Sequence, residues 1–276
     1  MIEYLSGLFS YEFMRNALYA GLLVSISSGL IGTLVVLNRI VSISGGIAHA
    51  AYGGVGLAYF LGMDPTLGAV LFSVASSLAM GWVQRKSKAR SDTLIGVMWS
   101  IGMALGIIFI SLSPGYKADL MSYLFGSILA VSQLDLLLML LISVAALLFV
   151  TLLYRQLLAL SFDETFTTVR NLPVDVLYLG MITLIGLTVV ISMRVVGLIM
   201  VIAILSLPPA IANLFFKDMR QIMLAAVVLG VLFTTAGLIA SYALNLPSGA
   251  VIILLMAAAY VIALALKQRR LKPIQP

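Results

Sequence analysis

The stretch 134–154, LDLLLMLLISVAALLFVTLLY, carries one charge, Asp135, in 21 residues. About 20 consecutive apolar residues cross the hydrocarbon of a bilayer as a helix. A membrane-spanning β-strand would instead alternate in polarity over about ten residues. This run does not alternate, so it reads as a transmembrane helix, and the rest of the chain reads the same way. Of its 276 residues 62% are hydrophobic and 9% charged, against about 25% charged in an average soluble domain. A water-soluble fold could not cover so much apolar surface. In lipid, helices satisfy their own backbone groups. The fold class is all-α, a polytopic membrane bundle.

Further spans are expected at 17–38, 46–62, 66–84, 93–113, 174–193, 195–215, 221–243 and 247–266. The one at 46–62 is short and glycine-rich, and the one at 195–215 holds Pro208 and Pro209. Either is open to being broken or re-entrant, which leaves eight or nine crossings. Residues 1–16 carry Glu3, Glu12 and Arg15 and show no small-residue cleavage site, so they are expected to form an interfacial helix rather than a leader. Asp119–Val131 reads as an external hairpin or half-helix. Residues 1–276 are expected to form a single membrane domain.

With nine crossings, thirteen Lys and Arg fall on one side, among them Arg39, Arg85, Arg155, Arg170, Lys217, Arg220 and the tail from Lys267. Three fall on the other: Arg15, Lys117 and Arg194. Basic loops stay in the cytoplasm, so the C-terminus is expected inside and the N-terminus outside. The same pattern assigns the net charge of +6 to topology rather than to nucleic acid.

The chemistry available is sparse. The chain has no cysteine and one histidine, His49. There is no phosphate-binding G-x-x-x-x-G-K-[ST] motif, so any ATP hydrolysis belongs to another chain. No histidine–glutamate pair at metal-ligand spacing is present, and no cofactor is expected on this chain. A serine hydrolase would need His49 as base without an acid nearby in sequence to orient it. An ATP-independent carrier would keep several ionisable residues near the midplane, and His49 is almost alone there.

His49 lies in the segment GGIAHAAYGGVG, residues 45–56. Four-residue spacing puts Gly45, His49 and Gly53 on one helical stripe and Gly46, Ala50 and Gly54 on the next. The second stripe lets a neighbouring helix approach closely. The first leaves the imidazole without a side chain one turn above or below, accessible as a path-lining group should be. An ionisable residue within a span is costly and tends to be functional. The alternative is a single bond to a neighbouring helix. In the next span but one, Gly102 and Gly106 form a GxxxG face, Asp92 sits at an N-cap position, and Met98 and Met103 are packing residues or soft metal contacts. On the inside, Ser161 with Glu164 has capping-box spacing. A short helix there showing Phe162 and Phe166 is a docking knob for a soluble partner, or an ordinary solvated loop.

Several segments together resemble the permease subunits of binding-protein-dependent ABC transporters for zinc, manganese and iron. They are Gly45–Ala50, Asp92–Gly96, Asp119–Leu129 with its Tyr123-Leu124-Phe125-Gly126 block, Phe162–Glu164, and Val195–Leu198 running to Pro208-Pro209-Ala210. Their order and spacing fit over roughly residues 15–266. The resemblance implies a type II-like importer fold in a bacterial plasma membrane. It implies a homodimer of permeases, cytoplasmic ATPase subunits and an extracytoplasmic metal-binding protein. His49 would match a path-lining histidine that contacts the transported metal transiently. Phe162, Asp163, Glu164, Thr165, Phe166 and Arg170 would match the region that couples to the ATPase. One position departs. Many family members carry an aspartate four residues before that histidine, where this chain has Gly45. That weakens the path site for a hard divalent ion and leaves a metal chelate open as the substrate.

Overall fold

A computed structural model describes residues 11–86, 91–113, 126, 128 and 131–271. The helices are α1 (Glu12–Leu37), α2 (Val41–Phe60), α3 (Pro65–Lys86), α4 (Ser91–Leu112), α5 (Gln133–Phe162), α6 (Glu164–Val169), α7 (Val174–Val196), α8 (Leu198–Phe215), α9 (Met219–Leu244) and α10 (Ser248–Leu271). Two of them, α1 and α2, form the interior. α1 lies among α5, α8 and α9, whereas α2 lies among α3, α4 and α7. One contiguous apolar core joins these layers, from Ala17 on α1 to Met256 on α10.

Among the described residues, eight helices are long and apolar enough to cross a membrane, namely all except α2 and the six-residue α6. Yet α2 packs along the length of its neighbours. Gly46 packs against Ile95 and Met80, Gly54 against Gly68, and Gly56 against Gly106. The register rises with α4 and falls with α3, so α2 runs alongside both. Its serines and glycines keep its hydropathy low, which is tolerable because protein rather than lipid surrounds it: Ser44, His49 and Tyr52 are all buried.

Local chemistry fixes the helix ends. Ser132 and Asp135 form a reciprocal capping box that starts α5. Asp218 caps α9, and Asn245 at φ 54° ends it. Pro65 opens α3, where its missing N–H costs nothing, and Asp64 accepts bonds from the Thr66 and Leu67 amides at 2.7 and 3.3 Å. A bond from the Thr66 side chain foremost, with these two amides, holds the Asp64 carboxyl below the usual carboxylate range. The paired prolines do not break α8, which is continuous through Pro208 and Pro209. Pro209 cannot donate to the Leu205 carbonyl one turn back. That oxygen lies against Gly32 of α1, where an added Cβ would sit 2.2 Å from it.

Three boundaries differ from the sequence reading. α1 starts at Glu12, so residues 12–16 extend the first span instead of lying along the surface. α5 continues eight residues past Tyr154 to Phe162, because a helix entering water can carry polar residues such as Arg155 and Gln156. Ser161 does not cap the short inner helix. It belongs to α5 and accepts a bond from Asn38 Nδ2 at 2.9 Å, while Asp163 stands before α6 and its carbonyl accepts from the Thr167 amide at 3.1 Å. Residues 1–10, most of 119–131 and the side chain of Asp92 lie outside the described residues.

Candidate functional site

The two ends of the bundle differ chemically. At one end lie the last turns of α1, α3, α5, α8 and α10, together with α6 and the starts of α7 and α9. Asn38 bonds Ser161, Arg85 pairs with Glu164 and Asp175, and the Arg220 guanidinium lies 4.5 Å over the Tyr154 ring. This end gathers the described residues of the basic set counted from sequence. At the opposite end Arg194 of α7 pairs with Asp135 of α5 at 3.1 Å and donates to the Thr66 hydroxyl of α3. Gly126 meets Val196 and Gly197 there, with an added Cβ 2.1 Å from the Gly197 nitrogen. Both glycines have positive φ, 61° and 83°. Thus Gly126 and the Val195–Leu198 block, about 70 residues apart in the chain, share one corner.

His49 sits midway between the two ends. It is 8% exposed, which corrects the expectation of an open imidazole. The glycine frame does remove side chains along α2 itself, but Trp99 of α4 fills the space, its ring stacked on the imidazole at 3.6 Å between centroids and 24° between planes. His49 Nδ1 lies 2.8 Å from the Gly45 carbonyl oxygen. A carbonyl only accepts, so the neutral ring carries its proton on Nδ1 and its lone pair on Nε2. That is the arrangement by which a backbone carbonyl orients a metal-binding imidazole. The Trp99 indole donates in turn to Met103 Sδ at 3.1 Å, and Trp99 is 41% exposed at the bundle surface. Among the described residues no group of three or more His, Cys, Asp or Glu is placed to cage a metal.

The glycines named from sequence fall into two kinds. A Cβ on Gly46, Gly53, Gly54, Gly102 or Gly106 would come within 3.0 Å of a neighbouring helix: 2.7 Å from Ile95, 2.9 Å from Phe72, 2.2 Å from the Gly68 carbonyl, 2.4 Å from Ala50 and 2.6 Å from the Tyr52 carbonyl. Gly45 is different. A Cβ there would meet only Ile202 Cδ1, at an ordinary 3.7 Å. Packing therefore does not exclude a side chain at the position where the resembling family often has aspartate.

On the basic end, Phe162 closes α5 and is exposed, as are Asp163, Glu164, Thr165 and Arg170 around α6. Phe166 lies within α6, and its side chain is outside the described residues. Thr167 is buried, its hydroxyl donating to the Asp163 carbonyl at 2.8 Å. Arg85 reaches from the last turn of α3 to Glu164 at 3.0 Å and also to Asp175, so it ties α6 to α3 and α7.

Sequence reasoning missed Trp99, Arg85 and the Arg194–Asp135 pair. The last had a visible signal. Asp135 is the one charge in the 134–154 run and Arg194 the one basic residue of α7, and lone opposite charges within spans tend to find each other.

Residues 10–267 match the model of the ABC 3 transport family. An uncharacterized membrane protein of Synechocystis sp. is 54% identical over 97% of this chain and 95% of its own length. The manganese import system permease protein ScaB of Streptococcus gordonii is 32% identical over 98% of both chains. Among solved structures, PsaBC from Streptococcus pneumoniae in complex with Fab superposes with a TM-score of 0.84 at 32% identity, covering 95% of each chain.

Proposed function

The chain belongs to the ABC 3 transport family, and on that premise we propose that it is the permease subunit of an ATP-driven, binding-protein-dependent importer of divalent metal ions, with manganese the first cargo to test. The whole chain acts as one transmembrane domain in a bacterial plasma membrane. It pairs with a second copy, with cytoplasmic ATPase subunits and with an extracytoplasmic metal-binding protein. The basic end faces the cytoplasm, with the C-terminus, because Lys and Arg are retained there. The observation that carries this reading is His49. It is an intramembrane imidazole with Nδ1 anchored to a backbone carbonyl and a lone pair left on Nε2. A single nitrogen donor holds a passing ion loosely, which suits conduction, where entry must not become trapping.

Energy reaches His49 through packed helices. The ATPase grips Phe162, Asp163, Glu164, Thr165, Phe166 and Arg170. Arg85 carries movement of α6 into α3 through its pair with Glu164. α3 in turn lies backbone to backbone on α2 at Gly54 and Gly68. Reversing the charge in R85E is expected to lower metal uptake by about tenfold, within the coupling range of about 0.5–2 kcal/mol for changes along such a route. ATP hydrolysis by the assembled complex continues. A variant that transports normally would show that α6 does not act through Arg85.

Gly45 favours one alternative. With no carboxylate beside the imidazole, a metal chelate is the second reading of the cargo. Reconstituted vesicles holding the chain, its ATPase and its binding protein decide between them. ATP-dependent accumulation of free manganese supports the first reading, accumulation only of a chelated metal supports the second, and accumulation without ATP overturns both.

A further inference from the structure

On the outer surface of the bundle, α1, α5 and α9 leave a groove of about 330 Å³ whose lining includes Leu30, Leu147, Val150, Tyr154, Arg220 and Leu224. The groove has a direction. Tyr154 lies 21 residues after the start of α5 at Gln133, which at 1.5 Å per residue is about 30 Å, the thickness of the hydrocarbon core. Tyr154 is therefore at the interface on the basic end, where tyrosine anchors spans. Leu147, seven residues earlier, is about 10 Å deeper. Leu30 follows Gly29, which packs against Val227, seven residues past Arg220 on α9, so it too lies deeper than the guanidinium's helix turn. Arg220 is at the shallow end, in the first turn of α9, its guanidinium over the Tyr154 ring. It makes no ion pair among the described residues, and the Asp218 carboxylate beside it is engaged by the Arg220 amide at 2.7 Å. The groove is thus cationic at headgroup depth and apolar below.

We propose that this groove binds an anionic phospholipid of the inner leaflet, its phosphate on Arg220 and the upper part of one acyl chain along Leu30, Leu147 and Leu224. The charge at the mouth selects an acidic headgroup over a zwitterionic one. The depth of the apolar floor matches a chain that descends from that headgroup, which a soluble anion would leave empty. Basic pockets between spans on the cytoplasmic side recognise acidic headgroups in this manner.

The test uses the full chain purified in detergent, incubated with equimolar phosphatidylglycerol and phosphatidylethanolamine, with retained lipid counted by native mass spectrometry. The wild type is expected to hold phosphatidylglycerol about fivefold over phosphatidylethanolamine, the preference that one juxtamembrane basic residue supplies. R220Q is expected to erase the preference, and R220K to keep it. L224W fills the groove from its exposed wall and is expected to lower retention of both lipids, which carries the test should R220Q fail to fold. Equal retention of the two lipids by the wild type, or an unchanged preference in R220Q, overturns the proposal. So does efficient L224C–L224C cross-linking between copies in membranes, since a second copy would then occupy the groove. The chain's natural lack of cysteine makes that last result unambiguous.

Discussion

H49A is expected to abolish metal uptake, by at least about a hundredfold, while the chain still reaches the membrane and assembles. Loss of a mere outer partner of a metal ligand already costs about 10–100-fold, and here the donor itself goes. The fold should tolerate the change. Among the described residues the imidazole bonds the Gly45 carbonyl of its own helix, an oxygen already near the helical ladder, and alanine is the better helix former. What is lost is the stack on Trp99, worth about 0.5–1.5 kcal/mol beyond area burial. Uptake by cells depending on the transporter is measured alongside the amount of chain in their membranes. W99A separates the roles of the two rings: if Trp99 only props the imidazole, uptake falls without vanishing. Normal uptake in H49A at normal levels would remove the histidine from the path, and the route for the metal would have to run elsewhere.

G54V is expected to prevent folding, or to lower the melting temperature by about 10 °C or more. A Cβ at Gly54 would lie 2.2 Å from the Gly68 carbonyl oxygen and 2.5 Å from Phe72 Cβ, and a Cβ at Gly68 would lie 2.3 Å from the Gly54 carbonyl. Carbon atoms need about 3.5 Å or more. α2 and α3 must therefore part by more than an ångström, which also opens the contacts of Gly46 and Gly53. Overpacking of this kind costs about 3 kcal/mol or more, and each kcal/mol is worth about 2–4 °C in a chain of this size. Gly96 is the control. Nothing lies within 4 Å of a Cβ there, so G96A should leave melting unchanged or raise it slightly. Thermal scans of the purified variants check both, and a G54V protein as stable as wild type would mean that α2 and α3 do not touch as described.

The spans were legible because lipid imposes a single rule on every surface that it touches. Long apolar runs such as 134–154 obey it wherever they lie in the chain. α2 was harder for the opposite reason. Protein surrounds it, so its residues answer to close packing instead of hydrophobicity, and glycine spacing was the better guide. The sequence reading found the stripe Gly46, Ala50, Gly54 and the face Gly102, Gly106, but not that Ala50 sits on Gly102. That register brings Trp99 onto His49, a contact across 50 residues that no local pattern encodes. Arg85 escaped for a related reason. In the sequence it is one of a cluster of basic residues, and only the fold selects it as the one that reaches Glu164 and Asp175. Asp163 and Ser161 differ by half a turn, which lies inside the usual uncertainty of a helix end read from sequence.

Where Gly126 meets Gly197, the atoms that a side chain on Gly126 would strike are all main chain, of Val196 and Gly197. Every amino acid shares those atoms, so no second mutation can trim them away. A harmful change at Gly126 should be reversible only at its own codon, and a genetic screen for suppressors would return revertants alone. At Gly46 the obstacles are the tips of Ile95 and Met80, which smaller residues could shorten, and repair from a distance should be recoverable there.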